Sequence, residues 1–248
     1  GFQTLYAAAT GIQQLIRMEL DLKFDEFTSD FLPGNTKGWT KELVTDVRAK
    51  DADEQALVVH PLGRLDLAQK TDFMRGAQLE IIEVGVRLNT FTSYFFHQKE
   101  VAFKQHIIDL LNSGVNYKGY LLDPESQEAS MYFGDRGKVM SVERDAIDEM
   151  RKVTKRLQWI KEELDNMQLK GRFDIFLYRH IPCAMFLMVD GPNAEQAKMM
   201  VSPYLYGIKR ADCPVLEFSR KQQPKLFRTY QDALQLLIKG AQVLPKSI

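Results

Sequence analysis

Cysteine is almost missing from this chain: among 248 residues only Cys183 and Cys213 occur. Neither has a nearby Cys or His at metal-ligand spacing, which argues against a disulfide framework and a zinc centre. No metal and no cofactor is expected, and the scarcity of thiols fits a reducing, cytoplasmic compartment. Long apolar runs are missing too. No stretch approaches the ~18 residues a membrane-spanning helix needs, so no membrane association is expected. Net charge is absent, with 33 Lys plus Arg against 33 Asp plus Glu. That balance argues against a dedicated nucleic-acid coat or a membrane-surface protein. Familiar catalytic motifs are lacking as well. There is no Gly-x-Gly-x-x-Gly or Gly-x4-Gly-Lys-Ser/Thr phosphate loop, no Gly-x-Ser-x-Gly elbow and no His-Glu-x-x-His. The chain opens on Gly1-Phe2 rather than Met, as a cleaved tag leaves, and no charged and apolar leader follows. A piece of a longer protein is one reading of that opening, and an output domain would then lie outside the chain.

What is present is ordinary globular material, 45% apolar and 27% charged. The length suits one large α/β domain, or a domain with an appendage. The neutrality is a partition rather than a uniform mixture. Residues 1–60 hold six basic and ten acidic side chains, whereas residues 196–248 hold nine basic and three acidic ones. Two solvated faces are the preferred reading; docking of the acidic segment on the basic one is the sharper alternative.

Apolar spacing predicts helices over 2–27, 41–49 and 65–77, with a Pro- and Gly-marked loop from Ser29 to Gly38. A short strand is expected at 56–60, and a β-rich run at 79–86 is followed by a helix over 97–112 and a strand at 117–122. That order is a βαβ unit and implies parallel pairing. Over 141–168 the apolar residues step by four and three. One long helix laid across a sheet is preferred there to a dimerising coiled coil. Strands are expected at 172–179, 183–190, 197–202 and 214–219, with a tight antiparallel turn at Asp190-Gly191-Pro192-Asn193. A final helix over 224–241 completes the pattern. The division is a mainly helical segment, 1–60, and an α/β domain, 61–248.

Four histidines offer little. His97 and His106 fall on the helix pattern, His60 precedes a Pro, and His180 ends a strand. The apolar strand Cys183-Ala184-Met185-Phe186-Leu187-Met188-Val189-Asp190 says more, together with Glu80 to Val86, Leu110 to Gly114, Leu121 to Ser126, Met200 to Gly207 and Cys213 to Phe218. From about residue 65 to 240 these pieces resemble the phospholipase D-like domain that occurs, without its catalytic His and Lys, in bacterial regulatory and sensor proteins.

The resemblance implies a mixed β-sheet flanked by helices with a ligand cleft at one strand edge. Active members carry His-x-Lys-x4-Asp, the His as nucleophile or its acid/base partner and the Lys neutralising phosphate. Here Cys183 stands for the His, Met185 for the Lys, and Asp190 is retained. A methionine cannot neutralise a phosphate, so a pseudoenzyme is expected. Its ligand-binding candidates are Arg87, Asn89, Asp123, Arg179, Asp190, Lys198, Ser202 and Tyr204, all at or just past expected strand ends. The arginines and Lys198 would hold a small anionic, phosphate- or nucleotide-like ligand, or the domain would engage a protein partner, and either would regulate an attached or partner module. Two alternatives stand beside it. One is a phosphodiesterase or nuclease with a rearranged site of His180, Cys183 and Asp190. The other is a nucleic-acid-binding module using the basic C-terminal segment, which is not favoured. The single motif copy implies a homodimer, since active relatives form their cleft between two halves.

Overall fold

A computed structural model describes residues 57–60, 66–96, 101–140, 145–193 and 195–245. The helices expected over 2–27 and 41–49, and the loop at 29–38, lie outside these. The described residues fall within one unit, 56–248. Its strands are β1 (Val58–His60), β2 (Glu80–Gly85), β3 (Asn116–Leu122), β4 (Phe173–Tyr178), β5 (Ala184–Val189), β6 (Lys198–Pro203), β7 (Val215–Ser219) and β8 (Gln242–Val243). They form one eight-stranded sheet in the order β1-β7-β6-β5-β2-β3-β4-β8. The central strands β2, β3 and β4 are parallel, as the βαβ pattern predicts. The remaining pairings, including β5 with β6 across the Asp190 turn, are antiparallel. The sheet is therefore mixed, and the fold is α/β.

Six helices among the described residues cover it: α1 (Leu67–Met74), α2 (Asn89–Phe96), α3 (Val101–Ser113), α4 (Gln127–Val139), α5 (Ala146–Asn166) and α6 (Pro224–Leu237). Alternation along the strands sorts two cores. On one face Ile81, Tyr117, Ile175, Leu187 and Met200 pack against α1, α2, α3 and most of α5. On the other Val84, Leu122, Phe186 and Val201 meet Phe133 of α4 and Phe227, Leu234 and Leu237 of α6. Burial of both sheet faces explains why β5 reads as a continuous apolar run and why its neighbours are apolar-rich.

Helix α5 is laid on the sheet. Met150, Val153, Leu157, Ile160 and Leu164 are all buried in the chain's own cores. The apolar stripe that could have served a coiled-coil dimer is thus spent internally. Two helices escaped the sequence reading. Helix α2, Asn-Thr-Phe-Thr-Ser-Tyr-Phe-Phe, is built of β-favouring residues. It is held helical by tertiary packing, with the Phe91 ring 5.4 Å from Phe173, 5.5 Å from Phe103 and 5.2 Å from Tyr117. Helix α4 carries Gly134 and Gly137 in its interior, which lowers its intrinsic propensity. The Ser126 hydroxyl caps it by accepting from the Ala129 N–H, and buried Ala129 and Phe133 anchor it. The last helix stops at Leu237, not 241. Gly240 takes a left-handed φ of 75°, and the chain turns back as β8 beside β4.

Candidate functional site

The strand directions put the C-terminal ends of β2, β3, β4 and β6 on one edge of the sheet, together with the starts of β5 and β7. Where β2 leaves the sheet the chain makes a strained turn. Leu88 adopts a φ of 51°, costly for a branched side chain, and folds back over Gly85 and Gly119. A Cβ on Gly119 would stand 3.2 Å from Leu88 Cδ1 and 2.7 Å from Ile175 Cδ1, so the two glycines make room for this turn. It carries Arg87 and Asn89 to the mouth of a cavity of about 150 Å³ on the face that holds α1 and α2. Sheet residues Gly85, Met185, Leu187, Ser202 and Val215 form one wall. Thr90 at the start of α2, Tyr204 and Arg210 complete the upper part, and Lys70 and Glu83 lie beneath.

Charge in this cavity is sorted. Arg87 and Arg210 both line the upper part, and the guanidinium carbon of each lies 5.8 Å from the centroid of Phe133, a ring of the opposite core that does not line the cavity. Burial pushes the Tyr204 phenol well above the ordinary tyrosine range. It is therefore a neutral, uncharged wall group. The Ser202 side chain, 4% exposed, makes no hydrogen bond among the described residues. The first turn of α2 adds backbone N–H groups at Asn89 and Thr90, whose partial positive charge favours an anion.

Beneath, the charges cancel. Lys70 of α1 donates to Glu83 Oε1 at 2.7 Å, both side chains being 8% exposed. The Tyr117 hydroxyl donates to Glu83 Oε2. Burial, then the Glu83 charge, hold that phenol protonated. The Lys70 ammonium also stands 5.7 Å and 5.8 Å from the Phe91 and Phe103 rings. Sequence reasoning missed Lys70, Glu83 and Arg210. Glu83 had a signal: a carboxylate between Ile82 and Val84 in an apolar central strand must find a buried partner.

The structure brings together four of the expected ligand residues, Arg87, Asn89, Ser202 and Tyr204, around this cavity. It disperses the others. Asp123, 4% exposed, accepts from Arg179 Nε at 2.9 Å and from the Glu125 N–H at 2.9 Å, an ion pair joining the ends of β3 and β4. Neither lines the cavity. Asp190 and Lys198 lie at the opposite edge, the length of β5 away, about 17 Å. Asp190 accepts from the backbone N–H groups of Gln78, Leu79 and Glu80 at 2.7–3.1 Å, which pins the entry of β2. Lys198 lies 4.7 Å over the Phe73 ring, and burial lowers its pKa.

The rearranged site of His180, Cys183 and Asp190 is therefore not assembled. His180 is exposed, its Nε2 3.3 Å from the Lys239 carbonyl. Cys183 is exposed too, one residue ahead of β5 rather than inside it, because the strand begins only at Ala184. Met185 does line the cavity. Among the described residues no group of three or more His, Cys, Asp or Glu side chains is placed to hold a metal ion. None of their helices is long and apolar enough to cross a membrane.

Fold and cavity together define an α/β protein with a mixed sheet and a cation-rimmed pocket at its edge. No protein-family model matches the chain, and no curated protein does. Among solved structures it is similar to TrmBL2, described as an archaeal chromatin protein with a novel mode of DNA binding. That likeness has a TM-score of 0.40 and 12% identity, over 96% of this chain and 68% of the other. It is also similar to phosphatidylserine synthase of Haemophilus influenzae Rd KW20. Here the TM-score is 0.47 at 17% identity, over 82% of this chain and 47% of the synthase, so the chain spans about half the synthase's length. At scores below 0.5 neither likeness assigns a fold family or a function.

Proposed function

We propose that this chain is a non-catalytic, phospholipase D-like binding domain that takes a small anionic ligand in the cavity at the end of β2. In this reading the bound ligand regulates an attached or partner module in the cytoplasm, and two copies of the domain associate. The observation that carries it is the presence of two arginines, Arg87 and Arg210, in the lining of a cavity that Ser202 and Tyr204 also line. Guanidinium groups suit phosphate or carboxylate oxygens, and a partly enclosed wall strengthens that attraction over water. Chemistry on the ligand is disfavoured by the residues at the motif positions, an exposed Cys183 and a cavity-lining Met185. Neither supplies the cation and base that phosphodiester cleavage uses.

Isothermal calorimetry against inorganic phosphate and a panel of nucleotides tests the reading. Binding is expected for at least one phosphate compound, weakened by about tenfold or more in Arg87→Gln or Arg210→Gln, the loss of one charge-assisted contact. Uniform silence across the panel overturns it. Turnover of a generic phosphodiester that persists in the purified chain returns the domain to the enzymes.

A further inference from the structure

The lower half of the cavity carries a second piece of information about the ligand. Lys70 is a buried ammonium with three N–H donors, and among the described residues its one hydrogen-bond acceptor is Glu83 Oε1. The Phe91 and Phe103 rings flank it without offering a lone pair. Buried donors of this strength are normally satisfied, so the ammonium has capacity for an acceptor from the cavity it lines. Glu83 lines the same cavity. Each of its oxygens takes one donor, from Lys70 and from Tyr117, and retains a further lone pair. The lower cavity thus presents a donor and an acceptor side by side, with no net charge.

A second anionic group there would meet the Glu83 carboxylate in a poorly solvated site, and like charges in such a place repel strongly. An apolar group would leave the Lys70 donors unmet. A neutral hydroxyl or amide satisfies both, accepting from Lys70 and donating to Glu83. Glu83 lies four residues before Arg87 in the chain. That is at most ~13 Å of extended backbone, so both ends of the site lie along one short stretch of β2 and the turn that follows it.

Building on the anion-binding reading, we infer that the cavity selects a compound with one anionic end, at Arg87 and Arg210, and one neutral hydroxyl or amide end, at Lys70 and Glu83. A phosphate monoester of a short hydroxylated compound has this form. Inorganic phosphate lacks the second end, and a bisphosphate carries the wrong one.

Four probes titrated by calorimetry into the intact chain test this: inorganic phosphate, propyl phosphate, glycerol 3-phosphate and 1,3-propanediol bisphosphate. Glycerol 3-phosphate is expected to bind about tenfold or more tightly than propyl phosphate, since a polar site rejects a ligand that leaves its groups unpaired. It is also expected to outbind the bisphosphate. Glu83→Gln removes the repelling carboxylate and leaves the Lys70 charge uncompensated, so it should narrow the gap between glycerol 3-phosphate and the bisphosphate. If Glu83→Gln does not fold, the four-ligand comparison on the unmodified protein decides alone. Equal affinity for propyl phosphate and glycerol 3-phosphate overturns the inference and leaves the anion site standing. Preference for the bisphosphate does the same. Binding of none of the four overturns both.

Discussion

Replacing Lys70 with Met probes the most consequential interaction beneath the cavity. The ammonium and the Glu83 carboxylate are 2.7 Å apart with both side chains 8% exposed. Met fills much of the aliphatic stem's volume but leaves Glu83 with only the Tyr117 hydroxyl among these two donors. Stranding one member of a buried pair costs about 3–5 kcal/mol, mostly through the desolvated charge left behind. For a domain of this size each kcal/mol moves the midpoint by roughly 2–4 °C, so Lys70→Met should melt roughly 6–20 °C lower. Urea unfolding followed by far-UV circular dichroism gives the free energy directly. The double variant Lys70→Met/Glu83→Gln removes the stranded charge and should recover more than half of the loss. Arg151→Ala is the internal control. It breaks exposed pairs to Glu125 and Asp148 and should barely shift the midpoint, because solvent screens them. A Lys70→Met variant as mild as Arg151→Ala, or a double variant no better than the single, refutes the reasoning.

Three further outcomes follow from the same geometry. Asp190→Ala leaves the N–H groups of Gln78, Leu79 and Glu80 without their carboxylate and should cost about 3 kcal/mol or more, with ligand affinity unchanged because the cavity is at the other edge; loss of binding without loss of stability would place Asp190 in the site after all. Gly171→Ala sets a Cβ 1.9 Å from the Val115 carbonyl oxygen, backbone against backbone, so soluble folded protein should be lost, and a native melting curve for that variant contradicts the close approach. His106 has its pKa lowered by burial first and by Arg75 second, against the pull of Asp109 and Asp72. The unfolded chain therefore binds the proton more readily, and stability present above about pH 6.5 is lost as pH falls below it; urea melts at about pH 7.5 and 5.5 should show a smaller acid loss in His106→Asn than in the parent, and identical losses would count against this account.

The strand pattern was legible because the central strands are largely buried on both faces, which makes β5 an uninterrupted apolar run and leaves β2, β3 and β6 rich in apolar residues. The parallel pairing of β2 with β3 followed from the helix between them. Helix α5 was legible from its stripe, and its partner was the chain's own sheet. Helices α2 and α4 were not legible, since an aromatic cluster in one case and a cap with two buried anchors in the other override weak local preference. The two-residue β8 is too short for any alternation to register.

The site divided in the same way. Arg87, Asn89, Ser202 and Tyr204 follow from the rule that ligands gather beyond strand ends. Asp190 and Lys198 also sit at strand ends, but the antiparallel turn between β5 and β6 puts them on the far edge. Lys70 and Glu83 come from a helix and from mid-strand, so only their three-dimensional pairing marks them. Arg210 arrives from a loop after β6 that carried no pattern.

The most direct measurement is a crystal soaked with tungstate, a heavy tetrahedral stand-in for phosphate, and read by its anomalous signal. The account predicts a peak at the cavity mouth within hydrogen-bond reach of Arg87, Arg210 and Ser202, lost in Arg210→Gln. A peak at Lys198 and Asp190, at the exposed Lys225 of α6, or nowhere would contradict it.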